Sequence, residues 1–308
     1  MKDKKISIIG VPYLFGKDNN LLSEAPDILR KSGLYKAFDI ANLSYEDKGN
    51  ISLSKDLPSI KMNLKYLNEV LDITKQTLEK VSETILKNEI PIVLGGDHSI
   101  TIGAILGIAS IIDDVSLVYF GTHGDFHTSQ TTLSGRLHGM VLPLSLGLDQ
   151  SFSEYYGSKI KFFDKNKTVL FGAQKFDPGE EESIVKNISL INIDYIIRYG
   201  IGKAVDKLIS QINTEKIYIS LDLDVINKDF APGTDMSIDG ALNYREIIYA
   251  FERLSEKYDV IGMDVVEFSP DKDVNGKTAS IAIEAITTAL GKRIGAYELY
   301  MDNLEIIS

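Results

Sequence analysis

Short runs dense in Ile, Val and Leu recur along this chain, and helical stretches separate them. Residues 6–11, 90–94, 116–120, 168–171, a run near 188–193, 217–221 and 260–265 each read as a buried strand. Between them, Leu64, Leu67, Val70, Leu71, Leu78, Val81, Ile85 and Leu86 fall largely on one helical stripe. Further helices are expected at 101–111, 202–212, 244–254 and 281–290, with a short one near 140–146. Ser23-Glu24-Ala25-Pro26 opens another: Ser23 can cap it, and Pro26 is tolerated in a first turn. The Gly- and Ala-rich helix at 101–111 is expected to pack closely on the sheet. Residues 42–57 are polar and turn-rich, so they are irregular or a short edge strand. Near-continuous apolar strands alternating with helices specify a mainly parallel sheet covered on both faces, an α/β fold. No Pro/Gly/Ser-rich linker divides the chain and no internal repeat is present, so residues 1–308 read as one domain. In open α/β sheets the site lies beyond the carboxyl ends of the strands.

Charge and composition exclude several classes of function. A formal net charge of −11 argues against a nucleic-acid or anionic-membrane partner, since both need a basic face. An acidic surface suits a small cationic substrate. The absence of cysteine excludes disulfides, zinc–thiolate sites and a thiol nucleophile. The N-terminal apolar run is too short for a signal peptide, and no stretch reaches the ~18 apolar residues of a membrane span. The expected location is the cytoplasm.

Four strand ends carry side chains that can bind metal. One gives Asp97 and His98, a second His123 and Asp125, a third Asp222 and Asp224, a fourth Asp264 and Glu267. All four histidines of the chain, His98, His123, His127 and His138, lie within 41 of its 308 residues. In extended backbone, a spacing of two puts His123 and Asp125 on one face, and likewise Asp222 and Asp224. Two like charges on one face of a buried strand are costly unless something positive sits between them, and a divalent cation does that. Carboxylates mixed with imidazoles favour manganese, iron or zinc over calcium. Such a centre supports hydrolysis. A lone Asp-x-Asp is more often a cap or turn, and a lone loop histidine such as His138 is usually only that. The combination of Gly-Gly-Asp-His, His-x-Asp and Asp-x-Asp, each at an apolar strand's end, is far more specific.

These motifs resemble those of the ureohydrolases, the group of arginase, agmatinase and formiminoglutamase. The resemblance starts at Ile6-Ser7-Ile8-Ile9-Gly10-Val11-Pro12 and Ala25-Pro26-Asp27-Ile28-Leu29-Arg30. It continues through Gly95-Gly96-Asp97-His98-Ser99 to the segment around Glu267. Gly124-Asp125-Phe126-His127-Thr128, Ser134-Gly135-Arg136-Leu137-His138-Gly139-Met140 and Phe176-Asp177-Pro178-Gly179-Glu180 are most similar to arginase. The resemblance implies a three-layer α/β/α fold, a binuclear manganese (Mn2+) site, and hydrolysis of L-arginine to L-ornithine and urea. It implies that His98, Asp125 and Asp222 hold one ion and that His123, Asp222 and Asp224 hold the other. It further implies His138 and Asp125 as proton carriers, Glu267 beside the guanidinium, and Ser134 and Asp177 at the amino-acid end of the substrate. A homo-oligomer, trimer or hexamer, is also implied.

The chain departs from the family pattern at four places. Gly121 stands where the family has an aspartate bridging both metals, so five of six ligand positions are retained. His127 replaces an Asn that contacts the substrate carboxylate, and it can still donate a hydrogen bond. The loop after Asp224 reads Asn227-Lys228, then Asp235-Met236-Ser237, then Gly240-Ala241, with Met236 in place of a Thr. The early glycine-rich loop becomes Lys17-Asp18-Asn19-Asn20-Leu21-Leu22. Three functions therefore stay open: an arginase-type hydrolase, a degenerate relative with a non-catalytic role, and a hydrolase of agmatine or another guanidino compound.

Overall fold

The computed structural model describes residues 4–16, 23–149 and 160–292. The altered loop at 17–22 lies outside them. The apolar runs form an eight-stranded sheet in which every recorded pairing is parallel. Its strands are β1 (Ile6–Val11), β2 (Tyr45–Asn50), β3 (Ile90–Gly95), β4 (Ser116–Phe120), β5 (Thr168–Phe171), β6 (Ser189–Ile191), β7 (Lys216–Asp222) and β8 (Asp259–Val266). Their spatial order is β2-β1-β3-β8-β7-β4-β5-β6. The polar segment at 42–57 supplies β2, an edge strand, as its composition suggests.

Side chains along each strand alternate between two cores. Ile6 and Ile8, Ile92 and Leu94, Val118 and Phe120, and Ile217 and Ile219 face one of them. The helices Tyr244–Lys257 and Lys277–Ala289 cover that face with Ile247, Phe251, Ile283 and Ile286. Ile9 and Val11, Val93, Leu117 and Tyr119, and Tyr218 face the other core. There the helices Leu67–Leu86 and Thr101–Ile111 contribute Val70, Val81, Ile102 and Ile105. The result is the expected three-layer α/β/α arrangement. Helix Tyr244–Lys257 starts on a reciprocal cap: Asn243 accepts from Glu246 N, and Glu246 accepts from Asn243 N.

Helix Thr101–Ile111 packs on the sheet as expected, through Ile102 and Ile105. Its glycines face helix Leu67–Leu86, not the sheet. A Cβ at Gly103 would lie 2.5 Å from Thr74 O, and one at Gly107 2.8 Å from Val81 Cβ. The absent side chains let the two helices approach closely. Two further helices, Glu180–Asn187 and Ile193–Tyr199, carry no sequence stripe strong enough to announce them.

The strand order positions the site. The ends of β3, β8, β7 and β4 are adjacent. They are the four strands that carry His98, Glu267, Asp222 and Asp125 at or just past their carboxyl ends. Chain segments far apart in sequence thus deliver ligand-type side chains to one edge.

Candidate active site

A cavity of about 280 Å³ opens at this edge. The ten residues given a ligand, proton-transfer or substrate role from the sequence line it: His98, His123, Asp125, His127, Ser134, His138, Asp177, Asp222, Asp224 and Glu267. Asp97, Lys175, Glu180, Asp235 and Met236 line it as well. Asp264 does not. It is fully buried beneath the cavity, where Thr101, Tyr218 and Ser220 donate hydroxyl hydrogen bonds to it.

His98 is the hub. It begins a 3-10 turn that continues into helix Thr101–Ile111, and Asp97 caps this turn by accepting from Ser99 N. His98 Nδ1 lies 3.0 Å from Asp125 Oδ2 and 3.1 Å from Asp222 Oδ2. One ligand atom from each of His98, Asp125 and Asp222 lies within 4.8 Å of the other two. Among the described residues this is the one such group. His123 pairs instead with Asp224, Nδ1 to Oδ2 at 2.8 Å.

The backbone brings these groups together by a route other than extended strand. Asp222 ends β7, and a 3-10 turn over Leu223–Val225 follows, with Asp224 N donating to Asp222 Oδ1 at 2.8 Å. Thr122 holds Asp224 from the β4 side: its N donates to Asp224 Oδ1 and its hydroxyl to Asp224 O. Asp125 adopts φ 46° and Glu267 φ 62°, both in the left-handed region. Asp tolerates that region better than Glu does, and such outliers cluster at functional sites. The twist at Glu267 is held by two hydrogen bonds across to the segment just past β3. Glu267 N donates to Gly96 O at 2.8 Å, and His98 N donates to Glu267 Oε1 at 2.7 Å. The same-face argument for both spaced pairs therefore fails in its geometry, although the residues still share the cavity.

Electrostatics follow from packing carboxylates and imidazoles in a buried space. Burial, then the neighbouring Asp224 charge, raises the Asp222 carboxyl to about 7. Burial, then Asp222 and Asp97, pushes Glu267 well above the carboxylate range. Burial opposes charge on His123, but its bond to Asp224 outweighs this and raises it to about 9. Burial likewise opposes charge on His98, and hydrogen bonds to Asp125 and Asp222 override it. These donors fit a divalent cation. Clustered buried carboxylates are relieved by positive charge, and His123 Nε2 is buried with no hydrogen-bond partner.

At the outer end of the cavity, His127 Nε2 lies 3.0 Å from Asp177 Oδ2. Glu180 organises this end, accepting from Phe126 N and Asp177 N, both at 3.0 Å. The roles of Glu180, Thr122 and Tyr119 escaped the sequence reading. The Tyr119 hydroxyl donates to Asp125 Oδ2 at 2.8 Å and lies 3.1 Å from His98 Nδ1. Its one sequence signal is an aromatic hydroxyl on the strand that feeds the ligand loop.

A family model described as the Arginase family matches residues 4–291. The chain belongs to the arginase family. Membership makes it an arginase-type hydrolase. A similar relative, the arginase of Bacillus subtilis (strain 168), is 32% identical over 297 residues, covering 95% of this chain and 99% of the relative. The crystal structure of arginase from Bacillus cereus superposes with a TM-score of 0.84 at 30% identity, covering 95% of this chain and 100% of that one. Formimidoylglutamase from Bacillus subtilis is similar in fold at 21% identity, with a TM-score of 0.73 over 94% of this chain and 87% of that one. This arginase-family chain keeps the ligand-type residues at its strand ends and carries Gly121 among them. No described helix is long and apolar enough to cross a membrane.

Proposed function

We propose that this protein hydrolyses a guanidino group with the help of manganese, converting L-arginine to L-ornithine and urea in the cytoplasm. The observation that supports it is the convergence of His98, Asp125 and Asp222 in a cavity that also holds Glu267 and His138. His98, Asp125 and Asp222 would hold one ion tightly; His123, Asp222 and Asp224 would hold a second far more weakly, because Gly121 supplies no carboxylate between them. A bound divalent metal supplies hydroxide near neutral pH by lowering the pKa of water.

The chain's own residues do the rest. Glu267 faces the cationic guanidinium, whose charge offsets the cost of burying that carboxylate. Asp125 passes a proton to the amine that leaves when the C–N bond breaks, and His138 exchanges protons with solvent at the cavity mouth. The outer groups His127, Ser134 and Asp177 contact the amino-acid end of the substrate. Urea leaves with the guanidinium carbon, and ornithine leaves as the protonated amine.

Purified protein incubated with manganese and arginine should release urea and ornithine in equal amounts. Stoichiometric metal binding without urea from arginine or any other guanidino compound would rule the reading out. Asp235 and Met236 at the cavity favour a second reading, another guanidino substrate such as agmatine. A substrate panel separates the two by kcat/KM.

A further inference from the structure

We infer that the Tyr119 phenol oxygen is the fourth protein ligand of a single metal held by His98, Asp125 and Asp222. It fills, at that one ion, the ligand position left open by the absence of a carboxylate at Gly121. This rests on the metal-dependent reading above and deepens it.

Four observations carry the inference. The Tyr119 hydroxyl already touches two of the three clustered ligands, at 2.8 Å from Asp125 Oδ2 and 3.1 Å from His98 Nδ1. Four of the edges among those donors and Asp222 Oδ2, Tyr119–Asp125, Tyr119–His98, His98–Asp125 and His98–Asp222, measure 2.8 to 3.1 Å. Octahedral bonds of about 2.1 Å require cis edges of about 3.0 Å, so the donors stand nearly at coordination spacing. The Tyr119 ring is fixed there, fully buried and stacked on the His98 ring at 4.6 Å and 9°.

The fourth observation links Tyr119 to Gly121. A Cβ at Gly121 would lie 3.4 Å from Tyr119 Cε1 and 3.8 Å from Asp222 Cβ. The Tyr119 ring therefore borders the space a side chain at Gly121 would enter. The phenol and the missing carboxylate converge on one neighbourhood, from residues two apart on one strand end. The second expected set is assembled differently. His123 is turned to Asp224, and among the described residues only the His98 group has three ligand atoms clustered.

Equilibrium dialysis against manganese with elemental analysis tests this on the full chain and on Tyr119→Phe, which keeps the ring and removes the oxygen. One ion per wild-type chain is expected, with Tyr119→Phe losing about 10-fold or more in affinity. A hydroxyl that merely oriented Asp125 could give the same loss, so a second readout is needed. Protein loaded with ferrous ion and oxidised in air should show a visible tyrosine-to-iron charge-transfer band, absent from Tyr119→Phe. Equal or tighter manganese binding by the variant, or no such band in the wild type, overturns the inference. Urea production accompanied by either result leaves the proposed hydrolysis standing. Failure of the wild-type protein to bind manganese at all removes both.

Discussion

At the residue scale, the centre turns on Gly121. Its φ is outside the left-handed region, and an added Cβ would meet its neighbours at ordinary contact distances of 3.4 Å and beyond. A Cβ there is sterically admissible, so backbone crowding does not account for the missing side chain. Gly121→Asp is expected to raise manganese stoichiometry from one toward two per chain, and to tighten binding about 10-fold. Metal-free, the same variant should melt at a lower temperature than wild type, because it adds a carboxylate beside buried Asp222. Metal analysis and paired melting curves check both; unchanged stoichiometry would show that the carboxylate is not what limits the second site. The ligand-type residues were legible because carboxylates and imidazoles rarely end apolar strands without cause. Their backbone was not. The left-handed turns at Asp125 and Glu267 arise from contacts to other strands, and no local spacing encodes them. Tyr119 was hidden for the opposite reason: within an apolar strand, an aromatic residue reads as core.

At the element scale, helix Thr101–Ile111 carries the greatest consequence. The His98 turn runs directly into its first residue, so the helix sets the position of the hub ligand. Its seat on helix Leu67–Leu86 depends on Gly103. Gly103→Ala would force a Cβ to 2.5 Å from Thr74 O and 2.7 Å from Thr77 Cβ. Overpacking of this kind costs about 1–3 kcal/mol. We expect a lower melting temperature together with weaker manganese binding, since relief of the clash displaces the start of the helix. A stability loss with unchanged metal affinity would break that link. A contrasting variant, Asn243→Ala, removes the cap of a helix on the opposite face and should cost about 1 kcal/mol while leaving metal binding intact. The sheet strands were legible to within a residue or two, because β-branched residues were bounded by turns. The missed helices have specific causes. Glu180–Asn187 has one buried apolar side chain, Ile184, and so no stripe. Ile193–Tyr199 is rich in β-branched and aromatic residues that favour strand, and it is made helical by the Asn192 cap, which accepts from Tyr195 N.

At the scale of the whole molecule, the site couples protons, metal and stability. Asp222 is raised to about 7 and His123 to about 9 in the folded protein. Both bind protons more tightly folded than unfolded, so each contributes stability at low pH that is lost on titration. For Asp222 the loss begins near the ordinary carboxylate value and ends above 7; for His123 it runs from about 6.5 through 9. His98, raised by Asp125 and Asp222, acts in the same direction. Asp125, where His98 overcomes the effect of burial, is lowered and matters only at acid pH. Metal-free protein should therefore lose stability between about pH 5 and pH 9, by a few kcal/mol in order of magnitude. The net charge of −11 adds general repulsion in the same direction, so the metal-free curve alone does not isolate the site. The difference between curves does. Manganese displaces those protons, its affinity rises with pH, and its stabilisation grows with the ratio of concentration to Kd. Melting temperatures in chelator and in manganese should diverge from about pH 5 to pH 9, the gap between metal-loaded and metal-free protein widening as pH rises. Parallel curves would mean that the clustered carboxylates and imidazoles do not receive the ion.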